Sequence, residues 1–148
     1  YGEFQKTNLE AFGELFEHID GVVDFVIVDA PGGFGYEAQQ VLKQCEEILL
    51  VVTPTLSAVM DGLKTLQAAE EHGITVAGVI VNMAHGRNEL RKEEVEAIIG
   101  HPLLARIKYG QKIRKAAHRG WPVTYAHPRC RAAREFRKIA EHLCPTEN

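Results

Sequence analysis

The chain has 148 residues, 45% of them hydrophobic, and a formal net charge of −3. That is enough to fill one core, so a single domain over residues 1–148 is expected, and the net charge by itself says little. No apolar run approaches membrane-spanning length and no signal peptide opens the sequence, so integral membrane association is not expected.

Cys45, Cys130 and Cys144 cannot all pair and share no metal-type spacing, which fits a reducing, cytoplasmic setting. Charge is divided along the chain. Residues 1–103 carry six Lys and Arg against seventeen Asp and Glu, whereas residues 104–143 carry eleven against two. Position 1 is Tyr rather than Met, which suggests a start partway along a longer protein.

Leu9, Phe12, Leu15, Phe16 and Ile19 recur at helical spacing and predict a helix over 8–19. Phe25 to Val28 is apolar without alternation, which predicts a parallel strand covered on both faces. A helix is expected from about Tyr36 to Gln44. Ile48 to Val52 is a second apolar strand, closed by Thr53-Pro54-Thr55, and Ser57 is placed to cap a helix running to about His72. Gly73 stops that helix. Ile74 to Val81 then reads as a strand ending in Asn82-Met83, followed by a polar loop and a helix over 89–99. Leu103 to Ile107 suits a short strand, Gln111 to His118 a helix, and Arg129 to Leu143 the closing helix. Strands alternate with helices throughout, so the fold class is α/β with a parallel sheet flanked by helices.

The stretch from Asp24 to Gly35 carries the strongest site signature. An apolar strand there ends in Asp29 and then in Pro31, Gly32 and Gly33, at the sheet edge where open α/β folds bind their ligands. The glycines let the backbone approach a phosphate or a metal-bound water. A carboxylate so placed commonly faces Mg²⁺ through water, because that ion gives up its hydration shell reluctantly. The plainer alternative is that Asp29 caps the helix that begins near Gly35.

The series Asp24-Phe25-Val26-Ile27-Val28-Asp29-Ala30-Pro31-Gly32-Gly33, Ile48-Leu49-Leu50-Val51-Val52-Thr53-Pro54, Asp61-Gly62-Leu63-Lys64 and Gly78-Val79-Ile80-Val81-Asn82 resembles the C-terminal portion of MinD/ParA-type ATPases, most of all archaeal MinD. Ile113 to Ala117, Gly120 to Val123 and the helix from Pro128 to Leu143 match in spacing too. The resemblance implies a P-loop NTPase fold lacking its N-terminal phosphate-loop strand. It also implies ATP/ADP and Mg²⁺ as cofactors, and a homodimer in the ATP state. Asp29 then matches the Mg²⁺-holding carboxylate, and Gly32 and Gly33 the switch that senses the γ-phosphate. Asn82 matches the amide that reads the adenine edge, which suits a side chain with one donor end and one acceptor end. Met83 adjoins it, and Lys108, Tyr109 and Gly110 form the adenine loop after the next strand, where Tyr109 can stack on a base. Thr53 and Asp61 fall near the dimer or partner face. A first-turn carboxylate favoured by the helix dipole is the plain reading of Asp61, and a strand-end cap that of Asn82.

The departures from the pattern bear on activity. No glycine-rich turn followed by Lys is present to wrap the phosphates, so this chain alone is not expected to hydrolyse ATP. A missing N-terminal half is therefore the expected partner, and the functional expectation is part of an ATP-dependent dimerisation switch for cell division or spatial positioning. Two rivals stand beside it. One is a phospho-receiver-like domain with Asp29 as acceptor and Thr53 as switch hydroxyl, although no acidic pair precedes Asp29 and the later strand ends in Asn82 rather than Lys. The other is a nucleotide-independent binding module that works through its basic C-terminal face. In the closing helix, Ala132, Phe136, Ile139 and Leu143 should face the core and turn Arg131, Arg134 and Lys138 to solvent, where nonspecific DNA contact is one use and a solvated face the other. Trp121, between Gly120 and Pro122, reads as a core residue, or as a partner anchor if exposed.

Overall fold

A computed structural model of the chain describes residues 14, 16, 18, 19, 21–33 and 35–144. They divide into two compact units, up to Glu46 and from Glu47 onward.

In the first unit Glu14, Phe16, His18 and Ile19 are helical, and the rest of the helix expected over 8–19 lies outside the described residues. The strand expected at Phe25 to Val28 does not form. These residues have no regular structure, and Phe25, Val26 and Ile27 are 57%, 47% and 90% exposed. Apolar composition makes a segment competent for a sheet, but a strand exists only where another backbone satisfies its N–H and C=O groups. No described strand pairs with it. Helix α1 then covers Tyr36–Leu42, with Ala38 and Leu42 buried.

The second unit is built on a three-stranded parallel sheet in the order β1-β2-β3, with β1 at Glu47–Val52, β2 at Thr75–Ala84 and β3 at Leu103–Lys108. Parallel neighbours need crossovers. Helix α2, Leu56–Glu71, joins β1 to β2, and α3, Lys92–Ile99, joins β2 to β3. Alternate strand residues point to opposite faces. Leu50, Val52, Val79 and Val81 pack with Val59 and Leu66 of α2 and with Val95 and Ile99 of α3. Ile80, Ala105 and Ile107 look the other way, onto Ile139 of the closing helix. With both faces covered, continuous apolar runs are what the strands require. The contact between α2 and β1 is close: a Cβ on Gly62 would lie 2.7 Å from Val52 Cγ1.

After β3 come α4, Gln111–His118, the short α5, Val123–Ala126, and α6, Arg131–Leu143. The β1–β2 register shifts between Ile48 and Leu49, passing over Ala77, whose carbonyl accepts a 2.9 Å hydrogen bond from His142 Nε2 of α6. Several boundaries differ from the sequence expectation. Thr55, not Ser57, caps α2, its Oγ1 accepting from Ala58 N at 3.3 Å. Helix α3 starts at Lys92 rather than Glu89, because the Glu89 carboxylate turns back onto loop amides. Ala132, Ile139 and Leu143 of α6 face the core as expected, and Phe136 keeps 38% of its surface in solvent.

Candidate functional site

The carboxyl ends of β2 and β3 lie side by side, with Ala84 in register with Lys108. Asn82 and Met83 lie in the last three residues of β2, Lys108 ends β3, and Tyr109 and Gly110 follow it, so five of the residues singled out from sequence are brought to one edge. The Asn82 Oδ1 accepts from Met83 N at 2.8 Å. That bond leaves the oxygen a second lone pair and the amide nitrogen both its hydrogens. Met83 has φ 56, in the left-handed region that non-glycine residues rarely adopt, and its side chain is 54% exposed. Strain of this kind persists where surrounding bonds fix it, and it clusters at binding sites.

Two residues to which the sequence assigned no site role, Glu89 and Arg106, hold this edge in place. Glu89 Oε1 and Oε2 accept from the backbone of His85 at 2.6 Å and Gly86 at 2.9 Å. Arg106, on β3, reaches the same carboxylate at 3.3 Å through Nη2 and donates to Leu90 O at 3.1 Å through Nη1. The two backbone donors, Gly86 first, and then Arg106 hold the Glu89 carboxyl below its usual pKa. The His85 ring is thereby brought over Tyr109, 4.6 Å between centroids and 28° between planes. Tyr109 is tied at both ends: its N–H donates to Ala84 O at 2.9 Å, and its hydroxyl accepts from Arg114 at 3.3 Å. Arg106 interrupts the apolar run Leu103 to Ile107, which marks it as unusual but does not name its partner.

Asp29, Gly32 and Gly33 belong to the first unit. Asp29 is exposed, and it does not cap α1, whose N-cap is Gly35. Gly33 has φ +87, a conformation that glycine adopts without strain, and a Cβ at either glycine would meet nothing within 4 Å. The donor chemistry is compatible with Mg²⁺, which takes one or two protein carboxylates and fills its remaining positions with water and phosphate. The free donors and lone pair of Asn82 suit a nucleobase edge, and the neighbouring strand end carries the ring of Tyr109.

Thr53 is half-buried after β1, and its carbonyl accepts from Thr55 N at 2.8 Å. Asp61 is not in the first turn of α2, which begins at Leu56; it pairs with Lys64 at 3.4 Å on the exposed face. Arg131, Arg134 and Lys138 all face solvent. Trp121 is 49% exposed rather than core, and its ring stacks on Tyr125. No helix among the described residues is long and apolar enough to cross a membrane.

A family model described as ParA, the NUBPL iron-transfer P-loop NTPases, matches residues 6–144. An uncharacterized ATP-binding protein of Methanocaldococcus jannaschii is 28% identical over 142 residues, which cover 95% of this chain and 54% of the relative. An iron-sulfur cluster carrier protein of Deinococcus radiodurans is 30% identical over 139 residues, 83% of this chain and 38% of that protein. Among solved structures, the cell division ATPase MinD of Pyrococcus furiosus superposes with a TM-score of 0.81 at 28% identity, covering 88% of this chain and 56% of its own. MinD of Pyrococcus horikoshii, complexed with Mg-ADP, gives the same TM-score and identity over 88% of this chain and 54% of that one. The chain spans about half the length of the curated relatives it matches.

Proposed function

The chain belongs to the ParA family of P-loop NTPases, and on that premise we propose that it supplies the base-recognition edge and the switch segment of an ATP-dependent positioning or cell-division switch. The observation that carries this reading is Asn82, held by Met83 at the carboxyl end of β2 with donors to spare and with Tyr109 fixed on the next strand end. It is supported by the likeness to a MinD that binds Mg-ADP. The family match replaces the phospho-receiver alternative.

Each residue has a task within that reading. Asn82 receives the exocyclic amine of adenine on its oxygen and donates its amide hydrogens to a ring nitrogen. Tyr109 covers a face of the base, and the Lys108 to Gly110 backbone shapes the loop around it. Asp29 holds Mg²⁺ through water, and Gly32 and Gly33 carry backbone N–H groups to the γ-phosphate. Mg²⁺ held by Asp29 would supply charge neutralisation for the phosphates, and the rest of phosphoryl transfer depends on positioning by the protein. The ATP-bound form dimerises, and hydrolysis releases it.

Calorimetric titration of the intact protein with Mg-ADP and Mg-GDP tests the proposal. Adenine selectivity that Asn82→Ala abolishes is the expected result. Equal binding of both nucleotides by the unaltered protein would overturn the base-site assignment. The 148-residue chain by itself should show no ATPase above a buffer blank, and turnover that Asp29→Asn removes would refute its dependence on a separate phosphate loop.

A further inference from the structure

Away from the nucleotide edge, the turn between α4 and α5 presents an aromatic shelf. Trp121 and Tyr125 stack on each other with centroids 4.7 Å apart and planes within 11°. They nonetheless stay 49% and 68% exposed, so stacking on each other leaves about half or more of each residue's surface in solvent. The shelf borders an open depression of about 210 Å³ that Lys115, Arg119 and His127 also line, with no carboxylate among its walls. Lys115 and Arg119 are exposed, one turn apart at the end of α4, and neither is ion-paired among the described residues.

We propose that this shelf binds single-stranded nucleic acid, an unpaired base lying on the Trp121–Tyr125 stack while Lys115 and Arg119 meet the flanking phosphates. Both halves of the ligand are called for by what is exposed. Every base offers a π-face of the size of these rings, and stacking on aromatic side chains serves strands without regard to sequence. Unpaired cations beside the rings suit a backbone that carries one charge per nucleotide. A duplex keeps its base faces covered by neighbouring pairs, so it cannot use the shelf. An acidic peptide could satisfy the cations, but the open, preformed flat stack suits a planar ring better than an inserted side-chain anchor. Pre-stacking also removes rotamer entropy that ligand binding would otherwise have to offset.

Trp121 is the only tryptophan in the chain, which makes it a native probe. Oligothymidylate added to the 148-residue chain at low salt should quench Trp121 fluorescence. Anisotropy of a fluorescein-labelled strand should give affinities that fall by about 5- to 150-fold in Trp121→Ala or Tyr125→Ala, and much less in Trp121→Phe. Lys115→Gln with Arg119→Gln should flatten the log–log salt slope by about 1.4, at about 0.7 per phosphate contact. Absence of quenching, equal quenching of Trp121 by a duplex, equal competition by polyglutamate, or unchanged affinity in both alanine variants would each overturn the assignment.

Discussion

The Glu89 carboxylate lies 3.3 Å from the Arg106 guanidinium while its two oxygens also accept from the amides of His85 and Gly86. One side chain therefore ties the loop after β2 to the strand that carries Tyr109. Its pKa is depressed in the folded state, chiefly by the Gly86 and His85 backbone donors. A carboxyl of that kind adds stability that is fully present above its unfolded pKa and is lost as pH falls through the lower folded value. Glu89→Gln keeps the shape but cannot ionise. Its stability should fall short of the parent at neutral pH, and the gap should close as the solution is acidified. Urea midpoints across the acid range will show this, and a gap independent of pH would remove ionised Glu89 from the network.

Asn82→Ala should weaken binding of ATP by the intact protein, because an adenine edge left unpaired in a closed site costs about 1–3 kcal/mol. The same variant should bind GTP almost as the parent does. Titration with both nucleotides separates the two effects, and an ATP affinity equal to the parent's would reduce Asn82 to a strand-end cap.

Asp29→Ala in the intact protein should abolish turnover and affect nucleotide affinity less, since Mg²⁺ also binds the phosphates directly. Steady-state ATPase assays and direct nucleotide titration measure the two quantities independently. Normal turnover in the variant would take Asp29 out of the metal site.

Gly62→Ala tests the packing of α2 on β1. Alanine would ordinarily favour a helix by about 0.5–1 kcal/mol over glycine. Here its methyl would meet Val52 Cγ1 at 2.7 Å and Leu50 Cδ2 at 3.2 Å. Overpacking of a filled core costs about 1–3 kcal/mol, which exceeds the helical gain. A lowered denaturation midpoint is expected, and a raised one would mean that the interface gives way freely.

The three strands among the described residues were legible because each is a mainly apolar run bounded by turn residues, although Arg106 interrupts the third. Phe25 to Val28 has the same composition and is not a strand, since pairing depends on a neighbouring backbone and composition carries no record of one. At the proposed base-recognition edge, Asn82 and Tyr109 could be picked out by their positions after apolar runs. The Glu89–Arg106 tie could not, because it joins residues 17 apart in sequence through side chains whose direction only the folded sheet decides. Trp121 misled for a related reason: its size argues for burial, yet the short α5 gives it Tyr125 to stack on instead.

The closing helix puts the charge asymmetry to a test. Ala132, Ile139 and Leu143 pack toward the sheet, and Arg131, Arg134 and Lys138 are left in solvent; among the described residues only Lys138 of the three is near a carboxylate, 3.9 Å from Glu135. Such a face is either simply solvated or a contact for the phosphates of duplex DNA, and salt distinguishes the two. Counterion release makes DNA affinity fall with ionic strength at a log–log slope of about −0.9 per phosphate neutralised. Changing all three residues to Ala should therefore weaken duplex binding by the intact, ATP-loaded protein and make its slope shallower by as much as about 2.7. The core side of the helix is untouched, so the melting temperature should hardly move. An identical slope in the triple variant, or no duplex binding by the parent at low salt, would return this face to plain solvation.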